Sequence, residues 1–409
     1  MMNNNEAKQS HSKLPSFVFG AAILGLLGIF LCAAFLIARS QDFMRNGDFF
    51  EFWLAGKMFW EGRGLYDPVI WDPPHALHGN YLIKNPVFPY PPVLALFFAP
   101  LGLGSLPFAA VSWVFICEGL ILGTVALLVS LWRMQGLSLK PYFWPLLVGV
   151  FLFRPTMVTL RNGQLGALFL FLLALTVYFW EQKKWFWGGV CLAVVAIRPN
   201  LGLPILGLVG LWLAWTRRWT AILGVGVSAI GLILICFLMD PNWIQGMLSV
   251  GSEKISRTFG HHPVVWGLSF ANCGFEPVCG WSWGGIAFLF AGALVIWTLW
   301  KNRAIEAPLV KVGLLFSFAL WGAPYLWAYD QILLVIPILG LAGISLARQK
   351  PYLFAATTTL WFSIFALILL AISMQVGNDV FSGLLSVGPL IVLAFSKWPT
   401  SSWTNHPPS

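Results

Sequence analysis

Long apolar runs separated by short polar breaks fill almost the whole chain. Runs such as Phe17 to Ala38, Ala109 to Trp132, Ile222 to Met239 and Leu353 to Met374 are each long enough for a hydrocarbon layer that needs roughly 20 apolar residues. In lipid a backbone must satisfy its own hydrogen bonds, and the alternation of a barrel strand is absent, so the runs predict helices. Turn residues and charges divide them into twelve candidate spans, near 17–39, 107–132, 141–153, 164–180, 185–197, 202–216, 219–239, 283–300, 310–326, 330–347, 352–374 and 381–396. The spans at 141 and 185 are short and need flanking Trp and Tyr residues to reach the interfaces. Leu94 to Leu101 is too short to cross, and Pro91, Pro92 and Pro100 bracket it, which predicts a piece at the outer surface or re-entrant. The first run follows Lys8 and Lys13 but is too long for a signal peptide and lacks a small-residue cleavage site, so it reads as a retained signal anchor. The expected fold is all-α and polytopic, with one membrane domain over 17–396 between cytoplasmic tails at 1–16 and 397–409.

The polar breaks predict an orientation. With the N-terminus inside, the cytoplasmic loops collect fourteen Lys and Arg against three acids, Glu6, Glu181 and Glu306. That asymmetry satisfies the positive-inside rule and supports an even number of spans. The outer loops hold eleven of the fifteen acids, and Glu118 alone lies inside a span. Two outer loops are long, 40–91 and 240–282. Within the first, Asp48 to Gly62 predicts a short helix along the membrane surface, with Phe49, Phe52, Trp53, Phe59 and Trp60 available to lipid or to the protein's own spans. The segment Asn85 to Pro92 predicts an extended descent back to the membrane.

Composition agrees with this picture. Of 409 residues 58% are hydrophobic and only 10% charged, and the mean hydropathy is +0.79, which excludes an ordinary soluble domain. The formal charge of +9 does not indicate nucleic acid, because the Lys and Arg residues are scattered over many loops. Cys32, Cys117, Cys191 and Cys236 lie in apolar runs, whereas Cys273 and Cys279 share an outer loop. Gly274 and Pro277 between them can bend the chain back far enough for a disulfide, against the alternative of two unpaired thiols.

Candidate chemistry begins with acids crowded among aromatic rings: Asp48, Glu51, Glu61, Asp67 and Asp72. Asp48 and Glu51 have the spacing of a capping box, and a carboxylate oriented in that way could also serve as a general base. Arg154, Arg161 and Arg198 stand near outer span ends against the positive-inside bias. Each could simply snorkel; together they fit an anionic group such as phosphate. Asn162-Gly163-Gln164 and Arg198-Pro199-Asn200 bring amides and one Arg to the same depth, which suits oxygen-rich ligands. Asp330 is a helix cap or a functional acid. His261-His262-Pro263 has no carboxylate or Cys at metal-ligand spacing and reads as a solvated turn.

Taken in order, the stretches from Asn46 to Gly56, Gly64 to Pro68, Phe88 to Pro92, Asn162 to Gln164 and Ile197 to Pro199 resemble glycosyltransferase family 87 over about residues 40–345. The resemblance implies a GT-C fold and inverting transfer of a sugar, mannose or another hexose or pentose, from a polyprenyl-phosphate donor to a glycolipid, glycan or protein hydroxyl. It implies an active site on the outer face of a bacterial plasma membrane, no cofactor and no metal. It casts Asp48 as the base, Arg198 with Arg161 or Arg154 as donor-phosphate ligands, and Glu51, Tyr66, Tyr90, Asn162, Gln164, Asn200, Tyr329 and Asp330 as substrate-binding. The chain departs from the family in having Arg198 where Lys is usual, and Tyr329-Asp330 where some members have His. The rival readings are a transporter or flippase, for which no internal repeat is visible, and another lipid-substrate enzyme such as an O-antigen ligase. A phosphoethanolamine transferase would want a soluble metal-binding domain.

Overall fold

The computed structural model describes residues 16–40, 48–77, 88–258, 260–347, 350, 357–358, 360–377 and 379–398. Apart from Ser16, Lys397 and Trp398, the expected tails lie outside these residues, as do Asn46, Gly47 and residues 85–87 of the motifs. All regular structure among the described residues is helical, as an apolar chain that must pair its own backbone groups requires.

Helix α1 (Ser16–Ala38) is followed by two helices of the first polar loop, α2 (Phe49–Glu61) and α3 (Pro68–Leu77), and then by α4 (Val93–Gly102) and α5 (Leu106–Met134). Among the described residues four helices are by themselves long and apolar enough to cross a membrane: Leu106–Met134, Trp219–Met239, Pro277–Lys301 and Ala328–Leu346. These are fewer than the twelve spans expected; shorter apolar helices of 10–17 residues make up most of the other runs. The run predicted at 141–153 forms a helix with a sharp bend at its end. Helix α6 (Phe143–Leu152) and α7 (Arg154–Asn162) meet at 61°. Pro155 has no N–H to continue the ladder, and Phe153 is extended, so the bend has a covalent cause.

The helix expected to lie along the membrane surface turns most of its rings to the protein's own helices, one of the two partners open to them. Phe49, Phe50, Phe52 and Trp53 of α2 are buried, with Phe52 stacked on Phe98 at 5.1 Å and Phe98 edge-on to Trp113 at 4.7 Å. Two glycines make this possible. A Cβ on Gly56 would lie 2.3 Å from the Phe98 carbonyl oxygen, and one on Gly102 would lie 2.4 Å from the Gly56 carbonyl carbon. Helices α2 and α4 therefore touch backbone to backbone, and rings that would otherwise meet lipid meet protein. Gly62, at φ 63°, ends α2 in the left-handed conformation that glycine adopts freely. Gly56→Ala is expected to force the two helices apart and to lower stability by about 1–3 kcal/mol, the usual cost of overpacking. Thermal unfolding of detergent-purified protein checks this, and an unchanged melting temperature would contradict the backbone contact.

The remaining helices form the bundle that carries the polar turns. Helix α8 (Gly166–Glu181) packs on α5 and on α9 (Trp185–Val194), and α9 packs on α11 (Trp219–Met239). Helix α10 (Pro199–Trp215) packs on α15 (Pro308–Gly322), which also packs on α16 (Val335–Ala347) and on the last helix, Leu384–Phe395. Because α8, α9 and α10 run up and down in turn, Gln164, Arg198 and Asn200 stand at one end of the bundle. Lys183, Trp185 and Trp215 stand at the other. The second long loop holds α12 (Trp243–Thr258) and α13 (Val265–Asn272), and is closed by a Cys273–Cys279 disulfide with Cα atoms 5.8 Å apart, just before and within α14 (Pro277–Lys301). Gly274 and Phe275, both at positive φ, make that reversal. Glu276 caps α14, accepting from the Val278 and Cys279 amides at 3.1 and 2.5 Å.

Candidate active site

Asp48 precedes the first turn of α2, but its carboxylate makes no capping bond there. Its carbonyl accepts from the Glu51 and Phe52 amides, and the residue already has helical dihedrals, φ −66° and ψ −13°. The side chain is therefore free of the capping box that its spacing predicted. Its Oδ2 accepts from the Tyr329 hydroxyl at 3.4 Å, longer than the usual 2.7–2.8 Å for such a bond. Carboxylate and phenol are thus neighbours rather than a locked pair.

Tyr329 and Asp330 sit in a tight 3-10 stretch, Ala328–Leu334, that opens the next apolar helix. Asp330 Oδ2 accepts from the Trp327 amide at 2.9 Å, so the capping role is real. The same carboxylate also holds Arg198, with Nη1 at 2.6 Å from Oδ1 and Nη2 at 3.1 Å from Oδ2. Both side chains are buried, at 3% and 0% exposure. Arg198 therefore does not snorkel: it lies where the helix breaks between residues 197 and 199, and the close ion pair, with one hydrogen bond from Nη2, compensates its charge. Nη2 also donates to the Tyr329 hydroxyl at 3.4 Å, and Nη1 reaches Gln164 Oε1 at 3.5 Å. The guanidinium carbon is 5.1 Å from the centre of the Tyr329 ring.

Gln164 is buried beside this pair, in the turn between α7 and α8. Gly163, at φ 63°, ends α7, and its carbonyl accepts from the Trp113 indole at 2.8 Å. Asn162 is half-buried in the same turn. Asn200 donates to the Tyr325 carbonyl at 3.3 Å. Tyr66 donates to the Tyr90 carbonyl at 2.8 Å, and Tyr90 is wedged against Phe52 and Phe88. Burial pushes both phenols well above their usual range, so they act as neutral hydrogen-bonding groups. Glu51 is buried within α2.

The three arginines part company. Arg154 is held by Asp379 at 2.9 Å and Ser382 at 2.7 Å, which ties α7 to the stretch before the last helix. Arg161 is exposed on α7. Only Arg198 of the three borders a cavity of about 440 Å³, whose polar side is Tyr90, Arg198, Asn200 and Tyr329 and whose other walls include Leu203, Met247 and Trp327. That volume is ample for a small polar group. Asp48 connects to this wall through the Tyr329 hydroxyl.

The sequence reading missed two features of the site. Tyr325 and Trp327 form part of its wall; their signal was the aromatic cluster just before Asp330. His262, expected in a solvated turn, is buried edge-on to Trp327 at 4.7 Å and beside Tyr325 at 5.2 Å. Burial, the dominant effect, pushes its imidazole down to about 4, leaving it a neutral aromatic spacer at pH 7.

An all-helical membrane protein with a buried arginine–carboxylate–tyrosine cluster opening on a half-apolar cavity has the parts of an enzyme that works on a polar group at a membrane surface. A family model, glycosyltransferase family 87, matches residues 88–373. The chain belongs to that family and is a membrane glycosyltransferase. The match takes in Tyr90, Gln164, Arg198, Tyr329 and Asp330 and begins near the end of the loop that carries Asp48, leaving Asp48 itself outside it. No curated protein and no solved structure matches the chain.

Proposed function

We propose that the protein transfers a sugar, mannose or another hexose or pentose, from a polyprenyl-phosphate donor to an acceptor hydroxyl at the outer face of a bacterial plasma membrane, with inversion. The supporting observation is the run of contacts from Asp48 through Tyr329 to Arg198 and Asp330 at the wall of the cavity. Asp48 takes the proton of the acceptor hydroxyl as that oxygen attacks the anomeric carbon from the face opposite the leaving group. The bond from the anomeric carbon to the phosphate oxygen breaks, and the electron pair leaves with the lipid phosphate. Arg198 and the Tyr329 hydroxyl meet the charge that develops there. Asp330 fixes the guanidinium, while Tyr90, Asn200 and Gln164 supply hydrogen bonds around the sugar. The apolar walls, Leu203 and Met247 among them, suit the first units of a polyprenyl chain entering from the bilayer. Arg154 is the less suitable phosphate ligand, because it does not border this cavity.

Purified protein in lipid, incubated with a panel of polyprenyl-phosphate sugars and a glycolipid acceptor, is expected to consume one donor and release the lipid phosphate. Consumption of a nucleotide sugar instead would overturn the donor assignment. The orientation has its own check. With Cys32 replaced, a cysteine at Arg63 should react with an impermeant thiol reagent added from outside, and one at Arg217 should not. The reverse pattern would move the site to the inner face and exclude this reading.

A further inference from the structure

A second cavity, also of about 440 Å³, lies at the end of the bundle opposite the candidate active site, among the turns from α8 to α9, α10 to α11 and α14 to α15. Helix α10, of 17 residues, separates the two levels by about 25 Å at 1.5 Å per residue. The charged lining consists of Lys183, Arg218, Arg303, Lys311 and Glu306, four basic side chains against one acid, a surplus of three. Glu306 is shared between Lys183 at 2.8 Å and Arg218 at 3.0 Å, so one carboxylate already draws two cations to the rim. Lys311 is 6% exposed, and its ammonium meets the Arg303 carbonyl at 3.4 Å, a long and weak contact for a buried charge. Lys183, and Arg217 beside Arg218, hold left-handed backbone at φ 63° and 56°, where glycine would sit without strain.

The aromatic surroundings indicate where the compensating anion comes from. Trp185, Trp212 and Trp215 border the cavity, and the Arg218 guanidinium lies 4.2 Å from a ring centre of Trp185. Just outside, Trp215 and Trp219 are exposed at the rim, and Leu211, Leu223 and Val227 are exposed along α10 and α11, a path for acyl chains beneath an interfacial belt. A soluble anion would use the basic side chains but not this apolar approach. We infer that this cavity binds the phosphate headgroup of an anionic membrane lipid, distinct from the substrate site. In the orientation proposed above this is the cytoplasmic end, where basic pockets between helices suit such headgroups; the inference rests on that orientation and not on which sugar donor is used.

The test measures thermal unfolding of the intact protein in zwitterionic lipid discs with increasing phosphatidylglycerol. A saturable rise in melting temperature is expected. Each of Lys183→Gln, Arg218→Gln and Arg303→Gln should weaken the apparent lipid affinity about fivefold, whereas Arg217→Gln, which removes the same charge outside the cavity, should leave it unchanged. All three positions are at least partly exposed, and melting in zwitterionic lipid alone checks that each variant folds. An equal loss in Arg217→Gln, or no saturation, would reduce the effect to general surface charge and overturn the site. An equal rise with inorganic phosphate would make it a free-phosphate site and overturn the lipid assignment.

Discussion

Asp48→Asn is expected to slow sugar transfer by about 10²–10⁴-fold, the range over which a positioned general base contributes, while leaving folding and donor binding nearly unchanged. The structural reason for expecting a clean result is that the Asp48 carboxylate makes no helix-capping bond whose loss would unsettle α2. Asparagine keeps the shape and can still accept from Tyr329, but cannot take a proton. Tyr329→Phe should cost less, because it removes a neighbour of the base and of Arg198 but not the base itself. Turnover of purified protein with the consumed donor, alongside equilibrium donor binding, is the measurement. Near-normal turnover in Asp48→Asn would reject the assignment of the base.

Arg198→Ala is expected to harm folding as well as activity. It would leave Asp330, with 0% exposure, as a buried carboxylate without its cation, and breaking a buried pair from one side typically costs about 3–5 kcal/mol. A loss of activity in that variant alone would therefore say little about phosphate. Arg198→Lys is the informative change: it keeps the charge against Asp330 but loses the planar fork that also reaches Tyr329 and Gln164. It should fold, and should lose about 10²-fold in transfer if the fork meets the departing phosphate. Arg154→Ala should act mainly on stability, because Arg154 joins Asp379 and Ser382 away from the cavity wall. Melting temperatures and kinetic constants for the three variants separate the effects. Equal losses of transfer in Arg198→Lys and Arg154→Ala, with melting unchanged, would remove Arg198 from the phosphate site.

The sequence by itself determined that the protein is helical and lies in a membrane, because runs of apolar residues leave a backbone in lipid no other way to pair its polar groups. It also marked the turns that matter: Asp48, Gln164, Arg198 and Asp330 were all legible as polar residues where polar residues are costly. What they do to one another was not legible. Asp48 and Tyr329 are 281 positions apart, and Arg198 and Asp330 are 132 apart, and no local pattern couples such distances. The same limit explains α2, whose rings suit lipid and protein equally; only the close approach allowed by Gly56 and Gly102 decided that they pack inside. It explains Arg154 and Arg198 too, identical as sequence signals yet separated by which carboxylate the fold brings to each. Hydrophobicity acts along the chain and can be read there, whereas ion pairs and close packing depend on which segments meet, which is decided in three dimensions.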